Sequence, residues 1–157
     1  MPKKSAERVA ISNRRARHEY HILDVYEAGI MLVGSEVKSI REGRANLADS
    51  YARVEGGEVW LYAMHVSPYA FAREQHNPTR RRKLLLHRGE IDRLVGKLNE
   101  SGLTLVPLKL YFSDGLAKVE LALAQGKRQW DKRQAMAERD AKRETERVMK
   151  GRARQGD

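Results

Sequence analysis

The sequence predicts a mainly β domain with flanking helices, followed by a basic C-terminal tail. Two pairs of apolar and β-branched runs are joined by turn sequences, at Gly56-Gly57 and at Asp114-Gly115. Apolar residues become sparse after Ala124. At 157 residues the chain is long enough for one well-packed domain with extensions and too short for two ordinary ones. We therefore assign a flexible N-terminus to residues 1–12, a barrel to 13–124 and the tail to 125–157.

The net charge of +10 is concentrated at the two ends of the chain. Residues 1–17 hold six cations and one acid, and residues 125–157 hold eleven cations and six acids, so each end carries +5. The remaining residues hold fourteen of each sign. A neutral body with two basic ends is typical of a protein that binds a polyanion, although two solubilising tails are the alternative. Composition does not distinguish RNA from DNA.

The first strand is predicted from Tyr20 to Tyr26, directly after the basic segment Asn13–His18. The guanidiniums of this segment suit phosphate, because a planar fork can bind bidentately; a solvated charge run is the alternative. We predict a break at Glu27-Ala28-Gly29 and a brief resumption at Ile30–Val33. Glu27 is unusual on a phosphate-binding face, so we expect it to pair with an arginine or to accept a hydrogen bond from a base edge or ribose hydroxyl.

A short helix is predicted to begin at Gly34-Ser35, with the serine as its N-cap. Val37 and Ile40 would face the core, and Lys38 and Arg41 would share the neighbouring face. This arrangement predicts half of an RNA-binding surface. The next strands, Ser50–Val54 and Val59–Val66, form the first hairpin.

A polar loop at Ser67–Arg82 ends in the cluster Arg80–Lys83. The following helix is predicted from Arg88 by apolar residues at i, i+3, i+4 and i+7, with Gly102 as its C-terminal stop. These apolar residues are Ile91, Leu94, Val95 and Leu98.

The second hairpin is predicted at Leu103–Phe112 and Leu116–Ala124. We expect Val106, Leu108, Leu110 and Phe112 to share one face, with Lys109, Tyr111, Lys118 and Glu120 on the others. Five or six strands with one amphipathic helix indicate a small closed barrel of oligonucleotide-binding (OB) type. An open α+β sheet is the alternative.

The tail has helix-favouring pairs at i, i+4, such as Glu138/Lys142 and Glu146/Lys150, but no continuous apolar stripe. We predict that it is disordered alone and becomes helical on a partner; a permanently docked helix is the alternative.

Catalysis is not supported by the sequence. There is no cysteine, no histidine pattern with metal-ligand spacing and no glycine-rich phosphate loop, so we expect no metal and no cofactor. We expect no membrane span and no signal peptide, and the absence of cysteine fits the cytosol. Tyr20, Tyr51, Tyr69 and Tyr111 lie near cations and could stack on unpaired bases, although core or rim positions are the alternative.

Several collinear blocks, from about Ile11 to Arg154, resemble the small protein B family of bacteria, the SsrA-binding proteins. The blocks are Asn13–Tyr20, Tyr26–Gly29, Gly34–Ser39, Ala45–Leu47 with Asp49–Tyr51, Arg82–Leu86, Leu105–Leu108 and Ala124–Lys127 with Asp131–Arg133. The resemblance implies an OB-type barrel that binds the tRNA-like domain of alanine-charged transfer-messenger RNA (tmRNA). It further implies a cytoplasmic, monomeric, non-enzymatic factor. Such a factor acts with elongation factor Tu on stalled ribosomes, with its tail at the decoding centre and in the empty message channel of the small subunit.

The same resemblance implies the residues of two sites. The main RNA-binding residues are Glu27, Leu85 and Lys118, and the neighbouring ones are Asn13, Arg14, Arg17, His18, Tyr20, Lys38, Arg41, Tyr51, Arg82, Lys83 and His87. The ribosome-directed tail comprises Lys127, Arg128, Trp130, Asp131, Lys132, Arg133, Val148 and Met149. Two hypotheses compete with a ribosome-rescue factor: a general single-stranded nucleic-acid binder or RNA chaperone, and an enzyme with an unrecognised site.

Overall fold

In the computed structural model, six antiparallel strands close into a ring around one apolar core. The structure describes residues 8–99 and 102–155, with backbone alone at 128–134 and 151–155. The elements are β1 (Arg8–Ser12), α1 (Arg14–Glu19), β2 (Tyr20–Ile30), α2 (Gly34–Arg41), β3 (Ala45–Asn46), β4 (Tyr51–Glu55), β5 (Glu58–Tyr62), β6 (His65–Val66), β7 (Arg82–Leu85), α3 (Arg88–Leu98), β8 (Leu103–Ser113), β9 (Leu116–Gly126) and α4 (Lys127–Gln155).

The barrel closes because β8 pairs with both β4 and β9. Around the ring the strand order is β8-β4-β5-β7-β2-β9, and the pairing of β9 with β8 returns to the start. This topology confirms the predicted closed β-barrel with flanking helices and excludes the open sheet. Both predicted hairpins are present, and their turns use positive φ angles at Gly56, Gly57, Asp114 and Gly115.

The predicted flexible N-terminus extends too far. Residues 8–12 form β1, which lies antiparallel to the outer end of β8, with Arg8 opposite Phe112 and Ser12 opposite Lys109. β4 pairs with β8 at Leu105, so the edge of β8 at residues 109–112 is available to β1. Residues 1–7 lie outside the described part of the chain.

The predicted break at residues 27–29 is wrong, because β2 continues through it. Glu27 pairs with Glu120 of β9, and Gly29 lies between Leu85 of β7 and Lys118 of β9. β9 therefore pairs with the whole segment, and β7 joins on the other side at Gly29. A Cβ atom added to Gly29 would lie 3.3 Å from the Leu85 Cβ, so glycine permits the close approach of β7.

Ser35 is not the N-cap of α2. Val33 occupies that position, and its backbone N–H donates to a carboxylate oxygen of Glu36 at 3.0 Å. The Ser35 hydroxyl instead forms a 2.8 Å hydrogen bond with Nδ1 of His76. Ile40 is fully buried, as predicted from its position on the apolar face.

The four apolar residues of β8 that were predicted to share one face lie on two faces, because the strand contains a β-bulge. The register shifts between Pro107 and Lys109, so Leu110 and Phe112 face the barrel core, whereas Val106 and Leu108 face outward. The outward pair packs under α1 in a second apolar cluster. The sequence analysis assumed strict alternation of side chains, which does not allow for the extra residue that a bulge inserts.

The predicted strand from Val59 to Val66 is also interrupted. Ala63 has φ +62° and ends β5, and the following two-residue β6 pairs with β3 instead of continuing the barrel. Helix α3 spans Arg88–Leu98, close to the segment that its apolar spacing predicts.

β9 extends to Gly126, so the tail begins at Lys127 instead of residue 125. In the structure this segment is one helix, α4, about 43 Å long. Alanine and oppositely charged i, i+4 pairs account for the helix without tertiary packing. Side chains 135–150 are all exposed, unlike those of a docked helix. Disorder of the free tail in solution stays a prediction.

Among the described residues, no helix combines the length and apolarity that crossing a membrane requires. Within the same ranges, no group of three or more histidine, cysteine, aspartate or glutamate side chains has an arrangement that could hold a metal ion.

Candidate RNA interface

An open area on the outer face of the barrel is centred on Gly29. Glu27 lies two residues before it on β2, Leu85 lies opposite it on β7, and Lys118 lies opposite it on β9. The side chain of Glu27 is 52% exposed, and Leu85 is 49% exposed. The fold therefore brings together the three main residues that the family resemblance implies. We call this area the Gly29 face.

The Glu27 carboxylate is held in place by two donors. Lys118 Nζ lies 2.7 Å from Oε1, and the Tyr111 hydroxyl donates to Oε2 at 2.6 Å. The hydrogen bond from Lys118, followed by that from Tyr111, holds the pKa of Glu27 below its ordinary value. Glu27 is thus an ionised acceptor at neutral pH, and its partners are a lysine and a tyrosine instead of the arginine that the sequence suggested.

The polar network continues along β8 and β9 towards α1. Lys109 Nζ lies 5.1 Å from the centre of the Tyr111 ring and 3.3 Å from Glu120, which also lies 3.8 Å from Arg17. Sequence analysis considered Tyr111 for stacking on unpaired bases, with a core position as the alternative. The residue is 3% exposed, so its ring is buried and its hydroxyl positions Glu27 instead. The predicted hairpin register could have indicated this role, because Tyr111 lies opposite Lys118 across the turn.

A second group of rings and cations covers the neighbouring strands β4, β5 and β7. The Arg81 guanidinium stacks over Trp60 at 4.0 Å, and Lys83, opposite Trp60 in the sheet, pairs with Glu58 at 2.9 Å. Tyr51 is exposed and stacks on Tyr62 with a centroid distance of 5.6 Å. Sequence analysis predicted Tyr51 and Lys83 but missed Trp60 and Arg81. The cation–aromatic pair became apparent only when the β5–β7 pairing was known.

Two predicted RNA-binding residues are buried and support the fold instead. Arg82 is fully buried. Its guanidinium donates to the Glu36 carboxylate at 2.5 Å and to the Met64 carbonyl at 2.7 Å. Asn13 is 4% exposed; it caps α1 and donates to the Leu47 and Pro107 carbonyls at 3.1 and 2.8 Å. Neither side chain can reach a ligand on the surface. The sequence of a charge cluster does not reveal which of its side chains is buried in the fold.

The remaining predicted residues are accessible, and they lie on several elements. Arg14, Arg17 and His18 are exposed on α1, and Tyr20 is half-buried where β2 meets the start of α4. Lys38 and Arg41 both belong to α2. Lys38 lies 5.4 Å from the centre of the Tyr69 ring, and Arg41 lies 4.3 Å from the centre of the Phe112 ring. His87 is exposed at the N-terminus of α3.

The tail residues all belong to α4. Lys127 is half-buried at its first position, and Val148 and Met149 are 52% and 68% exposed near its end. The other tail residues that the resemblance implies have side chains outside the described part of the chain. These are Arg128, Trp130, Asp131, Lys132 and Arg133.

A closed OB-type barrel with an ionised, cation-lined outer face defines a β-barrel protein of the oligonucleotide-binding class. Comparison with known proteins is more specific. The model of the SmpB protein family matches residues 10–151. This chain belongs to the SmpB family.

Relatives and one solved structure agree with that assignment. An SsrA-binding protein of Carboxydothermus hydrogenoformans is 60% identical over 147 residues, covering 93% of this chain and 99% of the relative. An SsrA-binding protein of Saccharopolyspora erythraea is 57% identical over 157 residues, covering 99% of each chain. A solved chain from work described as "tmRNA-SmpB: a journey to the center of the bacterial ribosome" has a TM-score of 0.64 and 52% identity, covering 74% of this chain and 82% of that one.

Proposed function

We propose that this chain binds SsrA RNA, the transfer-messenger RNA, and delivers it to stalled ribosomes in trans-translation. The Gly29 face binds the tRNA-like domain of alanyl-tmRNA, which also carries elongation factor Tu. The tail enters the decoding centre and the empty message channel of the small subunit. The nascent peptide is then tagged for degradation, and the ribosome is released. The observation that carries this proposal is the full-length likeness to SsrA-binding proteins.

The geometry of Glu27 supports a specific role in RNA recognition. A carboxylate has about four lone-pair positions, and Lys118 and Tyr111 each use one. The remaining positions can accept from a ribose 2′-hydroxyl or from an amino or imino group on a base edge, and a 2′-hydroxyl is present in RNA but not in DNA. Because the carboxylate is fixed before binding, little conformational entropy is lost when it accepts such a bond.

Leu85 and Lys118 complete this face with different chemistry. The exposed Leu85 side chain covers the space left by Gly29 and offers an apolar surface to a base or ribose. Lys118 offsets the negative charge of Glu27, so the carboxylate does not repel an approaching RNA backbone. These groups offer contacts for binding. The family likeness supports the proposal that the chain acts as a non-enzymatic, monomeric factor in the bacterial cytoplasm.

Replacing Glu27 or Lys118 by alanine is expected to weaken binding to the tRNA-like domain by about 10- to 100-fold, because each change removes a charge-assisted contact. The melting temperature is expected to stay near wild type, since ion pairs at this exposure contribute little to stability. Titration of a labelled transcript of the tRNA-like domain measures the first effect, and thermal unfolding measures the second.

Lys97→Ala is a matched control, because it removes a similarly exposed ion pair, at 3.2 Å, between α3 and Asp24 of β2. Its RNA affinity should equal that of wild type. A Glu27 or Lys118 variant that unfolds would instead assign that residue a structural role. Wild-type affinity in both variants would exclude the Gly29 face as the RNA-binding surface.

A further inference from the structure

Phe71 is presented on the surface at the tip of the loop between β6 and β7. Its side chain is 84% exposed, the largest exposure among the large apolar residues that the structure describes. The ring contacts Tyr69 edge-on, with centroids 5.7 Å apart and planes at 68°. One side of Phe71 is therefore supported by a second ring, while the rest faces solvent.

The tip of this loop is fixed by a single side-chain amide. Gln75 accepts from the Tyr69 backbone N–H at 3.1 Å and donates to the Tyr69 and Ala72 carbonyls at 2.6 and 3.2 Å. The Ala72 N–H donates to the Tyr69 carbonyl at 3.1 Å. These bonds close a turn around Phe71.

The base of the loop is anchored to the barrel. His76 is buried and bridges the Ser35 hydroxyl of α2, at 2.8 Å, and the Val66 carbonyl of β6, at 2.9 Å. The Val66 N–H donates to the Pro78 carbonyl at 2.9 Å. A loop held at its base and at its tip presents the exposed ring at a defined place, and such preorganisation lowers the entropy cost of binding.

One cation lies beside this aromatic pair, and a second lies further along the same helix. Lys38 on α2 places its ammonium 5.4 Å from the Tyr69 ring centre. One helical turn later, Arg41 lies 4.3 Å from the ring of Phe112, which pairs with the residue before Lys118. Exposed positive charge thus continues from the loop along α2 to the end of the β8–β9 hairpin.

We infer that Phe71, supported by Tyr69 and Lys38, stacks on an unpaired base of the same folded RNA that the Gly29 face binds. An aromatic ring beside cations suits a base with its phosphates, whereas an apolar pocket of a protein partner would leave the Lys38 charge without a counterpart. The inference rests on the proposed function, because it extends that binding surface by one nucleotide contact.

The test is binding of a tRNA-like-domain transcript by the full chain and by three variants at Phe71. Phe71→Ala and Phe71→Leu are expected to bind roughly 5- to 100-fold more weakly, since both remove the stacking ring. Phe71→Trp keeps a flat ring and should bind as tightly as wild type. Chemical probing of the bound RNA should show one unpaired nucleotide that wild type protects and Phe71→Ala leaves reactive. Melting temperatures should be unchanged, because the ring is hardly buried.

Two results would overturn the inference while leaving the proposed function intact. One is wild-type affinity and unchanged probing in Phe71→Ala. The other is full affinity in Phe71→Leu, because a non-aromatic side chain cannot stack. In the first case, a loss of affinity for purified ribosomes in Phe71→Ala would assign the ring to another partner. Failure of wild type itself to bind the transcript would overturn the proposed function and this inference together.

Discussion

Arg82→Ala is expected to reduce the free energy of unfolding by about 3–5 kcal/mol, because it leaves the buried Glu36 carboxylate without one of its two guanidinium partners. Both Arg82 and Glu36 have fully buried side chains. Arg82 also donates to the Met64 carbonyl at 2.7 Å, and that acceptor would lose its partner as well. A loss of this size is a large part of the roughly 5–15 kcal/mol that stabilises a typical domain.

Denaturant unfolding of purified protein measures this effect, and Arg81→Ala is the matched control. Arg81 is the preceding residue, 51% exposed, and its pair with Glu55 at 3.4 Å lies at the surface. Its loss should change stability by less than about 1 kcal/mol. An Arg82→Ala protein with a wild-type midpoint and weakened RNA affinity would contradict this account and restore Arg82 to the RNA-binding surface.

The same cluster predicts acid sensitivity. Burial alone raises the pKa of Glu36, but hydrogen bonds from Arg80 and from the Val33 N–H, with the charge of Arg82, outweigh burial and lower that pKa overall. A carboxyl whose pKa is lower when folded contributes stability that is present above its unfolded pKa, about 4.3. This contribution is lost as the pH falls through the lower folded value. Stability measured from pH 6 downward should therefore fall less steeply in Glu36→Gln than in wild type.

Local sequence signals predicted the elements that depend on neighbouring residues. The Gly-Gly and Asp-Gly turns require positive φ, and the i, i+3, i+4 spacing of α3 reports one buried face, so these elements follow from the chain itself. The closed β-barrel was predicted from the number of strands and the single amphipathic helix. Long-range pairing decided the rest: the continuation of β2 through Gly29 depends on β7 and β9, and the outward turn of Val106 depends on a bulge.

The candidate site was less predictable than the fold. Glu27, Leu85 and Lys118 lie on three strands far apart in sequence, and no spacing rule joins them; the family resemblance supplied them, and the barrel explains why they are neighbours. The arginine-rich segment before β7 illustrates the opposite problem. Its composition indicates RNA binding, yet Arg82 turns inward to Glu36 while Arg81 turns outward to Trp60. Strand alternation assigns these opposite faces only when the start of β7 is known.

Cutting the chain after Gly126 is expected to abolish tagging of nascent peptides while leaving affinity for the tRNA-like domain within about two-fold of wild type. Gly126 is the last residue of β9 and pairs with Tyr20, so the cut leaves every barrel strand complete. The side chains at 135–150 are exposed, and their removal takes no apolar contact from the core. The melting temperature should therefore stay near wild type.

The affinity comparison must be made near physiological salt, because the removed residues carry +5 and would add sequence-independent attraction to any RNA at low salt. Tagging is measured as the fraction of peptide that acquires the degradation tag on a message without a stop codon, in a reconstituted translation reaction. Glu27→Ala provides the complementary case, with weakened RNA binding and an intact tail. A truncated protein that still tags would show that the barrel alone performs both tasks. A truncated protein that loses RNA affinity as well would place part of the RNA-binding surface on α4.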